Sequence, residues 1–393
     1  PYTTLFRSIE ARATDKAGNS SVVMRYEWKI DSRAPELQIT SKPAKFTSQL
    51  TANFVFSAAD VLSPDQTFRC KLDHGPMLGT YAPCTSPKAY ADLGQGEYRF
   101  TVEVTDAAQN KSELPYGWTV DSVAPATSRV ITGPKALDKM RQVDFTFEGL
   151  DGAGTGVVRY MCTLQDLTAE APAAVPAACT SPKRYNLTQD ARYRFTVTAY
   201  DKAENFKVSN PHNFNVDSTP VQITPVNPDK GFIKGTGETF VVELDDQGGS
   251  GVASVTCQVN GSDAIDCGPS KYLKGFLPDV YNRVRYVVTD KAGNVSTKDI
   301  GVRVDTINPE PIVMAPDPAD ETGPNVTFRY SSVEANRDTY MCKIDALPEE
   351  PCGNSKQYRG LTGGPHKFEV YLLDRSGRKS PTYRKNWRVV LPP

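Results

Sequence analysis

One short polar turn recurs five times: Asp15-Lys-Ala-Gly-Asn19, Asp106-Ala-Ala-Gln-Asn110, Asp201-Lys-Ala-Glu-Asn205, Asp290-Lys-Ala-Gly-Asn294 and Asp374-Arg-Ser-Gly-Arg378. Its leading aspartates stand 91, 95, 89 and 84 residues apart. A solenoid repeats every 20 to 50 residues or so, so a period of this size is a whole small domain. The chain reads as a string of similar domains, and its function must be one that such a string can perform.

Composition agrees with that frame. Thirty prolines and 28 glycines in 393 residues cut the chain into segments too short for long helices. The 45 basic and 46 acidic side chains are well mixed and leave a net charge of −1. That balance lacks the basic excess of a nucleic-acid or anionic-membrane binder. No run of about 18 apolar residues exists, so membrane insertion is not expected of this segment.

The eight cysteines fall into pairs, Cys70/Cys84, Cys162/Cys179, Cys257/Cys267 and Cys342/Cys352. Eight cysteines allow 105 connectivities, but the repeat phase selects this one, because each unit carries its own pair at matching positions. None forms a Cys-x-x-Cys, and no histidine recurs beside them, which disfavours zinc. One pair per unit points to structural disulfides and an oxidising, extracellular or cell-surface location.

The first eight residues, Pro1-Tyr2-Thr3-Thr4-Leu5-Phe6-Arg7-Ser8, fit no repeat position. They match one reading frame of a common short-read sequencing adapter. They are read as an assembly scar, with native sequence entering mid-strand at about Ile9. The expected division is residues 1–8 as artefact, 9–33 as the remnant of a truncated first repeat, then whole repeats at 34–123, 124–219, 220–307 and 308–393.

Within the second repeat, residues 50–57 and 67–72 alternate as strands. Tyr98, Phe100, Val102 and Val104 then share one face of a third strand, and Tyr116–Val120 closes the unit. Strict alternation marks a half-buried antiparallel strand. Counting back eight, six, four and two residues from the turn aspartate gives the same face in later repeats. These are Tyr193, Phe195, Val197 and Ala199; Asn282, Val284, Tyr286 and Val288; and His366, Phe368, Val370 and Leu372. About seven short strands in some 90 residues is a sandwich signature.

Several features recur in order: Ser-Pro-Lys-x-Tyr (Ser86 to Tyr90, Ser181 to Tyr185), the tyrosine-led strand, the Asp-x-Ala-Gly-Asn turn and a closing Trp-x-Val-Asp-Ser. With them, everything from Ile9 onward resembles the immunoglobulin-like or fibronectin-III-like tandem repeats of bacterial secreted and surface proteins. Leu93 with Tyr98 also looks like a tyrosine corner; Leu187 with Tyr193 imitates it, and His366 replaces the tyrosine in the fifth repeat. The resemblance implies an all-β fold of tandem antiparallel sandwiches arranged as an elongated rod. Two departures stand out. The cysteines tie the third strand to the segment just after it, and Trp28, Trp118 and Trp387 sit on last strands. The joints, Ile30 to Pro35, Val120 to Pro125, Val216 to Pro220 and Val304 to Pro309, are short and end in proline, which implies a semi-rigid array.

Little chemistry is legible. His74, His212 and His366 occupy unrelated register positions and read as exposed loop histidines, and no catalytic or phosphate-loop motif is present. Asp151-Gly-Ala-Gly-Thr-Gly156 and Gly248-Gly-Ser-Gly251 read as turns. The sequons at Asn110, Asn186 and Asn294 read as turn composition. No catalytic residue and no organic cofactor are expected.

Two acidic sets are candidate interdomain calcium ligands, because loops from one domain meet the linker of the preceding one there. They are Asp121, Asp151 and Asp201, and Asp217, Asp245 (with Asp246 as the alternative) and Asp290. The competing reading is a set of local Asx hydrogen bonds.

A lysine follows each second cysteine by four residues, with a tyrosine one or two further on: Lys88/Tyr90, Lys183/Tyr185, Lys271/Tyr272 and Lys356/Tyr358. These pairs are a candidate surface stripe for a glycan or acidic polymer, or edge-strand lysines that oppose aggregation.

The functional expectation is a non-catalytic stalk or adhesin shaft of a secreted or surface-attached bacterial protein. Its partners would be an extracellular protein or glycan and the neighbouring domains of the longer chain. The alternatives are a glycan- or matrix-binding accessory array of a secreted hydrolase, and protein-binding modules that engage partners through exposed edges.

Overall fold

The structure, a computed structural model, describes residues 5–168, 172 and 174–392. Every regular element among them is a β-strand. Packing divides the chain into two compact bodies: Pro1–Pro134 with Gln142–Asn186 and Arg192–Phe214, and Lys135–Arg141 with Leu187–Ala191 and Asn215–Pro393.

In the first body, Leu5–Ala11 pairs antiparallel with Met24–Ile30. Residues 5–8 thus continue the strand that holds Ile9 without a break, and Pro1–Thr4 lie outside the described residues. The second repeat is a two-sheet sandwich. One sheet orders Glu36–Ser41, Ala52–Ala59 and Lys88–Tyr90; the other orders Phe46–Thr47, Lys111–Val120, Gly96–Asp106, Gln66–His74 and Ala82–Pro83. Three strands facing five, with a short parallel pairing of Phe46–Thr47 on the last strand, is an immunoglobulin- or fibronectin-III-like wiring. The third repeat places Thr127–Thr132, Gln142–Leu150 and Lys183–Asn186 in one sheet. Its Arg192–Asp201 pairs with Val157–Asp166 and Phe206–Val208.

In the second body the wiring recurs twice. Gln222–Asn227, Gly237–Asp245 and Ser270–Lys274 face the sheet built on Val252–Val259, Tyr281–Asp290 and Val295–Val304. Val313–Met314, Val326–Ser331 and Ser355–Tyr358 face the sheet built on Arg337–Ile344, Gly364–Asp374 and Tyr383–Val389.

Period-2 alternation explains the cores. Tyr98, Phe100, Val102 and Val104 are all buried, as are Tyr193, Phe195, Val197 and Ala199. Across the sandwich, Phe54 stacks on Phe100 with centroids 4.0 Å apart, Phe145 on Phe195 at 3.9 Å and Phe328 on Phe368 at 4.0 Å. Each such ring contributes about 1.5–3 kcal/mol by leaving water. Asn282, a polar residue on that face, is 3% exposed because Leu277 and Val280 satisfy its amide.

Four disulfides, Cys70–Cys84, Cys162–Cys179, Cys257–Cys267 and Cys342–Cys352, each lie within one repeat. They tie a central strand to the short edge strand beside it and close separations of 10 to 17 residues. Each is worth roughly 3 kcal/mol in the chain-entropy model. Against a stability of about 5–10 kcal/mol for a domain of this size, that is a large share.

Candidate functional site

The chemistry concentrates where a linker meets the turns of the following repeat. Each turn aspartate accepts bonds from its own loop. Asp201 Oδ1 accepts from the backbone N–H groups of Ala203 and Asn205 at 2.8 and 2.9 Å, and Asp290 Oδ1 accepts from that of Asn294 at 2.8 Å. The local Asx geometry is therefore present in full.

The asparagine four residues on does more than close the turn. Asn205 Nδ2 donates to Asp201 Oδ2 at 2.8 Å and also to the backbone carbonyl of the linker residue Asp121 at 2.7 Å. Asn294 Nδ2 donates to Asp290 Oδ2 and to the Asp217 carbonyl, both at 2.8 Å. Asn110 Nδ2 reaches Asp106 Oδ2 at 2.9 Å and the Asp31 carbonyl at 3.3 Å. The motif Asp-x-x-x-Asn is thus a latch between a turn and the preceding linker, a role that its reading as turn chemistry missed. A glycan on Asn110 or Asn294 would take one of the two Nδ2 hydrogens that the turn and the latch together use.

The linkers are also held from their own repeat. Gln95 Oε1 accepts from the Ser122 backbone N–H at 3.0 Å, Asp190 Oδ2 from that of Ser218 at 3.0 Å and Asp279 Oδ1 from that of Thr306 at 3.0 Å. Arg141, Ser218 and Thr219 outweigh the effect of burial on Asp190 and hold its carboxyl down at about 2.

Among the described residues three acidic clusters arise at these joints: Asp31, Asp60 and Asp106; Asp121, Asp151 and Asp201; and Asp217, Asp246 and Asp290. In each, one carboxylate oxygen per residue lies within 4.8 Å of the others. The structure brings Asp121, Asp151 and Asp201 together as the sequence suggested, and it corrects Asp245. Asp245 ends the strand Gly237–Asp245 and is exposed, its Oδ1 accepting from the Gln247 backbone N–H at 2.8 Å. Strand alternation turns it away, and Asp246, the first residue past the strand, faces the joint. Asp60 and Asp151 likewise follow Ala52–Ala59 and Gln142–Leu150. Taking the residue just past that strand gives Asp246 and also reveals the Asp31 set, which the sequence reading overlooked.

Electrostatics at the second cluster are unfavourable for a bare anion. Burial pushes the Asp151 carboxyl up; the Gly156 backbone N–H pulls the other way, and the charges of Asp121 and Asp201 add to the rise.

The fourth joint is built differently. Ser332 is the first residue past Val326–Ser331, so no carboxylate enters from that strand. Asn336 Nδ2 donates to Asp305 Oδ2 instead. Arg378 stands in the latch position, and its Nε donates to the Asp305 carbonyl at 2.6 Å.

The lysine–tyrosine pairs take one arrangement in three repeats. Lys88, Lys183 and Lys356 lie over the rings of Tyr90, Tyr185 and Tyr358 at 5.3, 5.3 and 5.8 Å. These rings are half-buried against core phenylalanines, and burial drives the Tyr358 hydroxyl up to about 12. The strands that carry the pairs are at sheet edges. In the fourth repeat Tyr272 directly follows Lys271, so alternation turns it outward to 56% exposure while Leu273 enters the core. Lys274, not Lys271, covers its ring, at 5.7 Å. The stripe is not uniform.

The histidines correct another expectation, because none of the three is on a loop. His74 ends Gln66–His74 and stacks on Tyr98 at 4.3 Å; His212 begins His212–Val216 and meets Phe145 edge-on at 5.7 Å. His366 lies in Gly364–Asp374, stacked on Trp387 at 5.6 Å. Its side chain is 8% exposed. Both its ring nitrogens face acceptors at 2.8 Å, the Thr362 carbonyl and Asp345 Oδ2, and these two bonds hold its pKa above the ordinary imidazole value.

No protein-family model matches the chain, and no curated protein does. Among solved structures, a tetra-tandem repeat from the extending region of a large adhesion protein covers 91% of this chain and 100% of its own, at 16% identity and a TM-score of 0.29. The fibronectin(III)-like modules of Clostridium thermocellum CbhA cover 46% and 92%, at 12% identity and 0.30. The FN1–FN3 domains of chicken CNTN1 cover 68% and 99%, at 13% identity and 0.34. At these scores the sheet wiring, and not the superposition, carries the fold assignment.

Proposed function

We propose that the chain is a non-catalytic spacer, a length of stalk in a secreted or surface-attached bacterial protein that holds other parts of a longer chain away from its anchor. The repeats are taken as 34–123, 124–219, 220–307 and 308–393, with an extracellular protein or glycan as the eventual partner. One observation carries the reading. Three linkers are gripped on both sides, by Gln95, Asp190 or Asp279 from the repeat before and by Asn205, Asn294 or Arg378 from the repeat after. A linker held this way transmits orientation, as a stalk requires and a tether does not. The four internal disulfides fit an oxidising location and a part that is under mechanical tension.

Small-angle scattering of the full chain tests the reading. Stacked end to end, as the proposal requires, four repeats with strands of about seven residues at 3.3 Å each and their loops would span on the order of 150 Å, giving a radius of gyration of roughly 43 Å. A compact globule of this length would show about 21 Å, and that value would end the proposal.

A further inference from the structure

We propose that the chain binds calcium at two of its joints, through Asp121, Asp151 and Asp201 and through Asp217, Asp246 and Asp290, and that the fourth joint performs the same linkage without an ion.

The first ground is geometric. Each site brings three carboxylate oxygens within 4.8 Å of one another. Asp121, Asp201, Asp217 and Asp290 are 3, 0, 4 and 1% exposed. Among the described residues, no lysine or arginine forms an ion pair with any of these six carboxylates. Like charges gathered out of water without a counter-charge are costly, and a divalent cation removes that cost.

The second ground is independent and concerns unused acceptors. Asp151 is 9% exposed, and its Oδ1 is fully buried with no hydrogen-bond partner. Its Oδ2 accepts from the Gly156 backbone N–H at 2.6 Å. Asp246, a partly buried residue, repeats the bonding: Oδ2 accepts from the Gly251 backbone N–H at 2.5 Å, and the Oδ1 atom is out of water with no partner among the described residues. Thr155 supplies a further orphan. Its backbone N–H donates to Asp121 Oδ2 at 2.7 Å while its Oγ1 is buried without a partner. Orphaned buried acceptors are uncommon in native folds and ask for a missing donor or ion. Hard oxygens from three carboxylates and a hydroxyl, completed by water, suit calcium, which takes six to eight oxygens or so in flexible geometry.

The remaining joints supply contrast. Asp31, Asp60 and Asp106 form a cluster, but among the described residues none of its carboxylate oxygens is buried without a partner. Ser63 Oγ donates to Asp31 Oδ2 at 2.6 Å, and the Leu62 and Ser63 backbone N–H groups donate to Asp60 Oδ1. At the fourth joint, Ser332 stands where the third carboxylate would be; Asp374 Oδ2 is buried there without a partner too, but the Arg378 guanidinium, donating to the Asp305 carbonyl, carries a positive charge into the joint. The sites stand whether or not the array is a stalk, because they depend only on the local carboxylates.

The test uses the full chain, stripped with chelator and titrated with calcium chloride by calorimetry and thermal melting. Binding at two sites per chain is expected. At about a hundredfold excess over the dissociation constant, the affected transitions should rise by on the order of 10 °C. The D151N/D246N double variant keeps an oxygen for the Gly156 and Gly251 amides and relieves the like-charge crowding. Its melting temperature in chelator should equal or exceed that of the parent, which shows that it folds, and its calcium increment should vanish. Superimposable parental curves in calcium and chelator, with no heat of binding, would overturn the proposal. A calcium increment that survives in D151N/D246N would overturn it equally.

Discussion

Two joints in the second body perform the same mechanical task with opposite electrostatics. Around Asp217, the latch is the neutral amide of Asn294, and three carboxylates crowd the space beside it. Around Asp305, the latch is the guanidinium of Arg378, and two carboxylates share the space with Asn336 and Ser332. What is common to both is a donor aimed at the carbonyl of the linker aspartate. The repeated requirement is therefore one hydrogen bond across the joint, and the net charge around it varies with which side chain supplies that bond.

The largest effect expected is at the amide latch. Asn294 is 8% exposed and serves both the Asp217 carbonyl and the Asp290 carboxylate. Asn294→Ala strips two buried acceptors at once and should cost about 2–3 kcal/mol, read by hydrogen exchange along Tyr281–Asp290. Arg378→Ala removes donors from a more open site and should cost about 1 kcal/mol, read by Trp387 fluorescence during denaturant unfolding. Equal costs would erase the distinction between the two joints.

A smaller effect separates the fifth repeat from the second. His366 and Tyr98 hold the same strand position, but only the histidine titrates near neutrality. Its folded pKa is raised by the Thr362 carbonyl and Asp345, so the protonated ring is the form that stabilises the fold. That stability is fully present below the unfolded value, about 6.5, and is lost as pH rises through the higher folded value. Unfolding followed at Trp387 should show the fifth repeat weakening as pH rises above about 6.5, and His366→Gln should flatten that dependence. A parental profile already flat there would contradict the assignment.

Much of this was legible in the sequence and some was not, for physical reasons. The inward face at Phe100, Phe195, Val284 and Phe368 follows from alternation, because a strand has only two faces. The cysteine pairing followed from the repeat phase. Asp245 was misplaced because two adjacent aspartates look alike in sequence, while the strand ends at Asp245 and only Asp246, just past it, turns toward the joint. The double duty of Asn205 and Asn294 was invisible, because a turn motif specifies its own backbone and says nothing of the chain that passes beside it. His74 and His212 were misread for a similar reason: an isolated His carries no period, and only the facing Tyr98 and Phe145 rings reveal its strand environment, whereas counting back from Asp374 already set His366 on a strand face.

The most direct measurement is hydrogen exchange at the joints of the full chain with and without calcium. The backbone N–H groups of Thr155 and Gly156, and of Ser250 and Gly251, bond to the cluster carboxylates. The Arg378 N–H bonds to Asp374 Oδ1 at the joint that carries its own cation. Calcium should slow exchange at the first four and leave Arg378 unchanged. Unaltered exchange at all five, or equal slowing at Arg378, would contradict the division of labour between the joints.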